Sequence, residues 1–441
     1  MQLRAAPHGP LTGTVAVPGD KSISHRTLML AALAQGTSEV RGLLEGEDVL
    51  ATAGALRRLG VPIERVGDGS WRVVGQGAAA LREPEEPLDL GNAGTGCRLL
   101  MGILAGLPFT SFLTGDASLR ARPMARVAEP LQAMGATLVT RSGGRLPLAI
   151  TGRRPLRAIA WRSRAASAQV KSAILLAGLA AEGVTRVTEP AASRDHTERM
   201  LAGMGAQLRT EHHGDGSYSA TITGGATLRA TSFTVPGDPS SAAFPMVAAA
   251  VVPGSAVRLA NVGVNPLRTG LLATLREMGA RIALQDERTA GGEPVADIVV
   301  EGGSLQGVEV PATRAPTMID EYPILAVAAA CASGRTVMHG LAELRVKESD
   351  RLAAMADGLA ACGVRTAVDG DTLIVEGGAT PAGGVRIDAH LDHRIAMSFL
   401  VLGGLAHAPV SVAGAETIAT SFPGFADLMR GLGAAITADT P

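Results

Sequence analysis

Residues 17–26 read VPGDKSISHR, and residues 235–244 read VPGDPSSAAF. In each copy a β-prone run meets Pro-Gly-Asp, polar residues follow, and the chain then enters an apolar segment. The second copy lies close to the middle of the 441 residues. A tetrapeptide repeated at this distance predicts two similar halves, with the chain crossing between them at each VPGD.

A second repeated pattern divides each half into three. An amphipathic helical pattern ends in Leu, Met or Cys, and Gly followed by Ala or Val comes next. Glycine directly after a helix is typical of a C-terminal cap. Six units of about 73 residues would fill the chain. The six glycines are Gly60, Gly135, Gly205, Gly279, Gly363 and Gly433.

Each of these units also contains an apolar, alanine-rich helix pattern upstream of its glycine. A helix that is apolar nearly all round is buried. We therefore predict an α/β fold of two pseudo-symmetric domains, each made of three βαβαββ units with buried parallel helices. The predicted domains are residues 22–234, and residues 1–21 together with 235–441, with a hinge near 18–22 and 234–238. The six apolar patterns are TLMLAALA, RLLMGILAG, VKSAILLAGLA, SAAFPMVAAA, YPILAVAAACA and RIAMSFLVLGGLA.

The composition argues against several classes of protein. Forty basic residues balance 41 acidic ones, and aromatic residues make up only 2%, so neither a nucleic-acid footprint nor a polybasic membrane surface is expected. Three widely spaced cysteines form neither a disulfide framework nor a zinc motif, which fits a reducing cytoplasm. No signal peptide is apparent, and the apolar runs are too short or too interrupted to span a bilayer.

Basic residues recur at the starts of the buried helix patterns, where the helix dipole disfavours them. A bound anion resolves this conflict, since helix N-termini and cations both attract one. We therefore predict a strongly anionic ligand in a common cleft. Ser, Thr, Asn and Asp at the same starts can instead be helix caps, and this interpretation is favoured for Asp238–Ser241. The basic residues are Lys21, Arg26, Arg98, Lys171 and Arg394.

A charged run, RVKESDR, occupies residues 345–351. A solvated helix start is the ordinary explanation of such a run. On a helix, however, Lys347 and Arg351 would share one face with Glu348, and a carboxylate between two cations can transfer protons. Arg122 is a further cation, predicted on a loop and unpaired. The glycine-rich GNAGTGCR, residues 91–98, fits neither a Rossmann nor a Walker pattern, but its glycines would let the backbone approach a ligand.

These motifs resemble those of the 5-enolpyruvylshikimate-3-phosphate synthases. PGDKSISHR, LGNAGTGCR, RPM, SAQVKSA, SRDHTE, RVKESDR, DHR and SFPGF occur in the family's order over almost the whole chain. The resemblance implies the enolpyruvyl transferase fold, with two domains that close over the substrates. It also implies transfer of the enolpyruvyl group of phosphoenolpyruvate to the 5-hydroxyl of shikimate 3-phosphate, with release of phosphate and without a metal, a cofactor or a covalent enzyme intermediate.

The resemblance also implies roles for individual residues. Asp320 is the expected base at the 5-hydroxyl, while Glu348 and Lys21 are the expected proton carriers at the methylene carbon. The expected shikimate 3-phosphate ligands are Lys21, Ser22, Arg26, Ser167, Ala168, Gln169, Asp320 and Lys347. The expected phosphoenolpyruvate ligands are Lys21, Gly94, Arg122, Gln169, Arg351 and Arg394.

Two positions depart from the commoner family pattern. Thr420 stands where many members have lysine, which resembles the divergent second class of these enzymes and puts one phosphoenolpyruvate contact in doubt. His196 stands where many members have tyrosine near the shikimate ring. Gly94 occupies a position that is alanine in some glyphosate-insensitive second-class members, so sensitivity to glyphosate is expected.

Two other functions stay open at this stage. The sister enzyme, which transfers enolpyruvate to UDP-N-acetylglucosamine, shares the six-unit fold but typically opens with a Lys-Asn motif and carries a reactive loop cysteine. This chain has KSISHR instead, and Cys97 lies at a buried helix start. A non-catalytic anion-binding repeat protein is the second alternative. The expected partners are the two small-molecule substrates alone, and the protein is expected to be a monomer.

Overall fold

The fold is that of a computed structural model, and it describes residues 1–438. The chain forms two compact units. One contains Met1–Asp20, Pro236–Thr289 and Pro294–Pro441; the other contains Lys21–Val235 and Ala290–Glu293. The chain therefore passes from one unit to the other directly after Asp20, where the first VPGD ends, and directly after Val235, where the second VPGD begins.

The helices alternate with strands along the whole chain. The helices are α1 (Lys21–Leu33), α2 (Glu47–Arg58), α3 (Gly94–Ala105), α4 (Ala117–Ala121), α5 (Ala125–Ala133), α6 (Ala168–Gly178), α7 (His196–Gly203), α8 (Pro239–Ala250), α9 (Gly270–Glu277), α10 (Tyr322–Cys331), α11 (Arg351–Ala361), α12 (His393–Leu405) and α13 (Phe425–Leu432).

The strands are β1 (Gln2–Ala6), β2 (Thr12–Ala16), β3 (Gln35–Arg41), β4 (Ile63–Gly67), β5 (Ser70–Gln76), β6 (Leu88–Asp89), β7 (Thr110–Thr114), β8 (Thr137–Arg141), β9 (Arg145–Thr151), β10 (Leu156–Arg157), β11 (Ala160–Arg162), β12 (Ala181–Glu182), β13 (Val184–Glu189), β14 (Leu208–His212), β15 (Tyr218–Thr223), β16 (Phe233–Thr234), β17 (Ala256–Gly263), β18 (Arg281–Ala290), β19 (Glu293–Glu301), β20 (Glu309–Val310), β21 (Arg335–Met338), β22 (Arg365–Asp369), β23 (Thr372–Glu376), β24 (Arg386–Asp388), β25 (Val410–Ala413) and β26 (Ala435–Ala438).

Six four-stranded sheets within the described residues reproduce the six predicted repeats. In each sheet one outer strand runs parallel to its neighbour. In four of the sheets a buried helix, α3, α6, α10 or α12, connects these two strands along the chain, as parallel pairing requires. The sheets of the Lys21–Val235 unit have the orders β16-β3-β5-β4, β6-β7-β9-β8 and β11-β13-β15-β14. Those of the other unit have the orders β18-β19-β17-β2, β20-β21-β23-β22 and β24-β25-β1-β26, and a short β10-β12 pair is separate.

Three strands reach their sheets from a distant part of the sequence. Strand β2 precedes the first crossing but pairs in parallel with β17, and β16 precedes the second crossing but pairs in parallel with β3. Strand β1 lies between β25 and β26 and completes the last sheet. The first and the fourth repeat therefore each receive their opening strand from the segment before a VPGD.

The two classes of helix appear as the sequence pattern predicts. Helices α1, α3 and α6 are buried in the core of one unit, and α8, α10 and α12 in the core of the other. Burying each large apolar side chain contributes about 1.5–3 kcal/mol relative to exposure. The amphipathic α2, α5, α7, α9, α11 and α13 end next to the six predicted glycines, whose φ angles lie between 83° and 110°. None of the described helices is long and apolar enough to cross a membrane.

Candidate active site

The first group of predicted residues lies at the N-terminal ends of α1, α3 and α6. Lys21 opens α1, and its Nζ lies 2.6 Å from Oδ2 of Asp48, which is in the first turn of α2. The Lys21 side chain is 15% exposed and that of Asp48 only 4%. The ammonium group is therefore held at the helix end while it stays accessible to a ligand.

Arg26 lies one turn further along α1 and is buried. Its Nε donates to Thr197 Oγ1 at 2.7 Å, and its Nη2 donates to Ser172 Oγ at 2.8 Å. Its Nη1 donates to the Ser22 carbonyl oxygen at 2.8 Å. Arg26 is thus fixed by α6, α7 and its own helix, beside the half-buried Ser22.

Arg122 lies in the loop that directly follows the short helix α4, as the sequence predicted, but it is buried and not unpaired. Its Nη2 donates to Asn92 Oδ1 at 2.5 Å and to Ser118 Oγ at 3.0 Å. Gly94, the first residue of α3, lies against this guanidinium, and a Cβ built on it would be 2.7 Å from Arg122 Nη1. The absence of a side chain at Gly94 therefore makes room for Arg122.

The N-terminal end of α6 carries three predicted ligands in succession. Ser167 caps the helix by accepting from the Val170 backbone N–H, and Ala168 is the first helical residue. Gln169 bridges to α3, because its Oε1 accepts from Arg98 Nη1 and its Nε2 donates to Thr95 Oγ1, both at 2.9 Å. The amide of Gln169 is therefore oriented by its neighbours.

The position of Lys171 contradicts part of the prediction that the basic residues at the helix starts face an anionic ligand. Its side chain is fully buried, and its Nζ lies 3.1 Å from Glu189 Oε2 and 2.9 Å from Glu198 Oε1. Burial alone would lower the pKa of Lys171, but the two carboxylates outweigh it and the pKa is raised. Its charge is thus balanced inside the core. Glu189 also accepts from the Ser167 backbone N–H at 2.6 Å, so this network fixes the α6 N-terminus.

The second group of predicted residues surrounds Asp320 in the other unit. Asp320 Oδ1 lies 3.1 Å from Arg351 Nη1 and 3.3 Å from Lys347 Nζ. Glu348 Oε2 lies 2.6 Å from Arg351 Nη2. One guanidinium therefore holds both of the carboxylates that the resemblance marks as proton carriers.

The helical spacing argued for RVKESDR is wrong, although its residues do come together. Helix α11 begins only at Arg351, with Asp350 as its cap, and Lys347 ends a 3₁₀ turn. The solvated helix start is also excluded, because the Arg351 side chain is only 1% exposed. A turn therefore brings Lys347 and Glu348 towards Asp320 and Arg351.

A buried carboxylate fixes the centre of this group. Asp392, which caps α12, accepts from Arg351 Nε at 2.7 Å and from the Arg394 backbone N–H at 2.9 Å. Burial would lower the pKa of Arg351, but the nearby carboxylates outweigh it and raise this pKa. Arg394 Nη1 donates to the Asp320 carbonyl oxygen at 3.1 Å. The cations of α11 and α12 thus converge on Asp320.

The comparisons with known proteins decide the family. Residues 5–429 match the family described as EPSP synthase (3-phosphoshikimate 1-carboxyvinyltransferase). The chain belongs to the EPSP synthase family. Similar relatives named 3-phosphoshikimate 1-carboxyvinyltransferase come from Rhodospirillum rubrum (59% identity over 99% of this chain and 98% of the relative) and Paramagnetospirillum magneticum (59% identity over 98% and 97%).

A solved structure agrees with this assignment. An EPSP synthase from Acinetobacter baumannii superposes with a TM-score of 0.88 at 47% sequence identity, and the match covers all of both chains. The predicted enolpyruvyl transferase fold is therefore confirmed.

The two departures from the commoner EPSP synthase pattern have different surroundings. Thr420 donates to the Thr417 carbonyl oxygen at 2.8 Å, and its hydroxyl lies 3.4 Å from His393 Nδ1. A hydroxyl does not replace the charge of a lysine. His196 is buried, and its Nδ1 lies 2.7 Å from Glu293 Oε1.

Asp195, His196 and Glu293 form the group within residues 1–438 that could hold a metal ion, since their ligand atoms lie within 4.8 Å of one another. Internal contacts already engage these side chains. His196 pairs with Glu293, and Asp195 Oδ2 accepts from Arg199 Nε at 2.9 Å. The cluster is thus explained by hydrogen bonds and ion pairs.

Sequence reasoning missed the carboxylates that hold the predicted cations. Asp48, Glu189 and Asp392 lie far along the chain from Lys21, Lys171 and Arg351, respectively. Asp392 was visible in the DHR motif, and Asp48 as an acidic residue at the start of an amphipathic helix. Nothing in the sequence pairs them with their partners, because these contacts join elements that meet only in the folded chain.

Proposed function

We propose that the two residue groups carry out the reaction named for the family, the transfer of the enolpyruvyl group of phosphoenolpyruvate to the 5-hydroxyl of shikimate 3-phosphate. The observation that carries this proposal is the cluster around Asp320. There, two carboxylates share Arg351, and Lys347 and Arg394 lie beside them. Acid–base groups placed among cations suit addition to and elimination from an anionic enol ester.

The binding roles divide between the substrates. Shikimate 3-phosphate is bound by hydroxyl, amide, carboxylate and basic groups, and its phosphate suits the α6 N-terminus, whose free backbone N–H groups attract anions. Phosphoenolpyruvate is bound mainly by guanidinium groups, which recognise carboxylates and phosphates in bidentate fashion. The first substrate takes Lys21, Ser22, Arg26, Ser167, Ala168, Gln169, Asp320 and Lys347. The second takes Lys21, Gly94, Arg122, Gln169, Arg351 and Arg394.

The chemistry then follows in two steps. Asp320 accepts the proton of the 5-hydroxyl while the oxygen bonds to C2 of phosphoenolpyruvate, and Glu348 or Lys21 gives a proton to the methylene carbon C3. In the second step the same Glu348 or Lys21, now deprotonated, takes a proton from the resulting methyl group. The double bond returns, the C2–O bond to phosphate breaks, and phosphate leaves with the bonding electron pair. Proton transfer by positioned groups contributes about 10²–10⁴-fold to the rate.

The sister reaction is disfavoured by the state of the cysteines. Burial raises the pKa of Cys97 to about 12, and it also raises those of Cys331 to about 12 and Cys362 to about 11. Cys97 lies inside α3 and is fully buried, not on a loop. A thiol that stays protonated and enclosed is a poor nucleophile.

Phosphate release tests the proposal. We expect the purified protein to release phosphate from phosphoenolpyruvate only when shikimate 3-phosphate is present, and not with UDP-N-acetylglucosamine. Turnover with the UDP-sugar alone would contradict the proposal. If the parent protein binds both substrates but shows no turnover, and Asp320→Asn together with Glu348→Gln changes binding alone, the non-catalytic alternative would be supported.

Further parts of this proposal concern the protein in the cell and in solution. We include a cytoplasmic location, a monomeric state, closure of the domains over the substrates and inhibition by glyphosate. Light scattering measures the oligomeric state, and small-angle scattering with and without substrates measures closure. Full activity at high glyphosate concentration would remove the last of these points.

A further inference from the structure

The two VPGD copies pair with each other through their backbones. The Asp20 N–H donates to the Pro236 carbonyl oxygen at 2.8 Å, and the Asp238 N–H donates to the Pro18 carbonyl oxygen at 2.9 Å. Gly19 and Gly237 form an antiparallel bridge between them. The two Pro-Gly-Asp segments therefore form one reciprocal structure in the unit that contains Met1–Asp20 and Pro236–Thr289, and their aspartates lie close together.

A single guanidinium binds both aspartates. Arg268 Nη1 lies 3.0 Å from Asp20 Oδ2, and Arg268 Nη2 lies 3.0 Å from Asp238 Oδ1. The side chains of Arg268 and Asp20 are each 2% exposed, and that of Asp238 is 7% exposed. Burial would lower the pKa of Arg268, but Asp20 and Asp238 outweigh it and raise this pKa. Buried charges of this kind are retained only when they are paired.

Further hydrogen bonds connect the Arg268 guanidinium to the proposed active site. Arg268 Nη2 donates to Ser240 Oγ at 2.8 Å, and this hydroxyl donates to Glu321 Oε1. Glu321 Oε1 lies 3.9 Å from Arg394 Nη1, which also donates to the Asp320 carbonyl oxygen. A continuous chain of polar contacts therefore runs from the paired VPGD segments to the group around Asp320.

Two reactive residues border this chain in sequence. Asp20 directly precedes Lys21, and Glu321 directly follows Asp320. Fixing Asp20 restrains the backbone that delivers Lys21, and fixing Glu321 restrains the backbone that delivers Asp320. Arg268 is not among the substrate ligands of the proposed scheme, so its influence would be exerted through these neighbours.

We propose that Arg268 is a positioning residue that fixes the Asp20 and Asp238 ends of both crossings and, through Ser240 and Glu321, the orientation of Asp320 and Arg394. This inference rests on the proposed function. Arginine suits the role because its planar fork donates to three acceptors at fixed angles, which a lysine ammonium does not reproduce. Displacing reacting groups by about 1 Å can cost about 10²-fold in rate.

Arg268→Lys keeps the charge and removes the fork, so it is the main test. We expect kcat to fall by at least about 10-fold, which is a clearly larger factor than the rise in the dissociation constant of shikimate 3-phosphate measured without phosphoenolpyruvate. Arg314→Lys is the matched control. Arg314 pairs with both oxygens of Glu277 in the same unit but has no role in the scheme, and its replacement should leave kcat unchanged.

Ser240→Ala distinguishes the effect of this chain of contacts on catalysis from its effect on folding stability. It removes the link to Glu321 while Arg268 keeps both aspartates, so it should lower kcat, and the thermal midpoint should fall less than in Arg268→Lys. In the double variant the two effects should not add, because they interrupt the same chain. The single variant Ser240→Ala also keeps the inference testable if Arg268→Lys does not fold.

The outcomes separate the two proposals. If the parent protein turns over and both variants keep kcat and both KM values within about 2-fold, Arg268 has no positioning role and only this inference fails. Equal losses of substrate binding and kcat, with a lowered thermal midpoint, would assign Arg268 to stability alone and overturn the inference. A parent protein without transferase activity would instead remove the proposed function.

Discussion

Replacing Gly94 with alanine probes the proposed phosphoenolpyruvate site. The new Cβ would lie 2.7 Å from Arg122 Nη1 and 3.3 Å from Arg98 Nη1, whereas ordinary contact begins near 3.4 Å. The Arg122 guanidinium must therefore move by about 0.7 Å, which stretches its hydrogen bonds to Asn92 and Ser118. A shift below 1 Å in a flexible side chain should cost less than the roughly 10²-fold expected for a full ångström.

We therefore expect KM for phosphoenolpyruvate to rise about 10-fold, equal to about 1.4 kcal/mol of binding free energy. KM for shikimate 3-phosphate should stay within about 2-fold, because Arg122 is assigned only to the other substrate. Initial rates of phosphate release, measured while each substrate is varied in turn, give both constants. Inhibition by glyphosate should weaken in the same experiment if it competes for Arg122.

Gly54→Ala is the control for this prediction. Gly54 lies inside α2, and a Cβ there meets no atom within 4 Å. Both KM values should be unchanged, and the free energy of unfolding should rise by about 0.5–1 kcal/mol, because alanine favours a helix interior. An unchanged KM for phosphoenolpyruvate in Gly94→Ala, or an equal rise in both KM values, would refute the assigned role of Arg122.

Three further predictions follow from the same structure. Asp320→Asn removes the proposed base and should lower kcat by about 10²–10⁴-fold, as measured by phosphate release. Calorimetry should show a much smaller loss in the binding of shikimate 3-phosphate, of which Asp320 is only one of eight assigned ligands, and no loss for phosphoenolpyruvate. Lys171→Met leaves Glu189 and Glu198 buried without their cation and should destabilise the protein by about 3–5 kcal/mol in urea unfolding. Because the pKa of Lys171 is raised on folding, its stabilisation is complete below its unfolded value of about 10.4 and disappears as pH rises through the folded value. The stability difference should therefore be constant from about pH 7 to 9 and shrink only above about pH 10.4; a difference that shrinks below pH 9 would contradict this account. Cys97 has a pKa near 12 and is enclosed, so iodoacetamide at pH 8 should leave activity intact; rapid inactivation traced to Cys97 by mass spectrometry would contradict its burial.

The repeat architecture could be predicted from the sequence because it rests on local physics. A left-handed φ favours glycine, so all six helix ends carried their own marker. A helix that is buried on every face needs apolar residues all round, so the six core helices could also be recognised in the sequence. The charged residues at the starts of these helices, which we propose as ligands and proton carriers, were recognised from their unusual charges and from the family motifs.

The partners of the reactive residues could not be predicted in this way. The charged run RVKESDR predicted a carboxylate held between cations, and such a group is present. The prediction assumed that these residues lie on one helix, whereas Glu348 contacts Arg351 from the turn that precedes α11. Arg122 was expected to be unpaired, yet Asn92 and Ser118 hold it. The Arg122–Asn92 contact joins segments 30 residues apart, which no local pattern encodes. The Glu348–Arg351 contact is local, and there the sequence pattern indicated the wrong backbone conformation.

The sequence by itself thus determined the six-part plan, the two crossings at VPGD and the anionic character of the ligand, because periodicity, glycine and charge act over a few residues. Only the tertiary structure decided which carboxylate holds which cation. It placed Lys171 in the core and joined Asp20 and Asp238 on Arg268. The reason is physical: a buried charge needs a partner at about 3 Å, and folding brings such partners together from segments that the sequence keeps far apart.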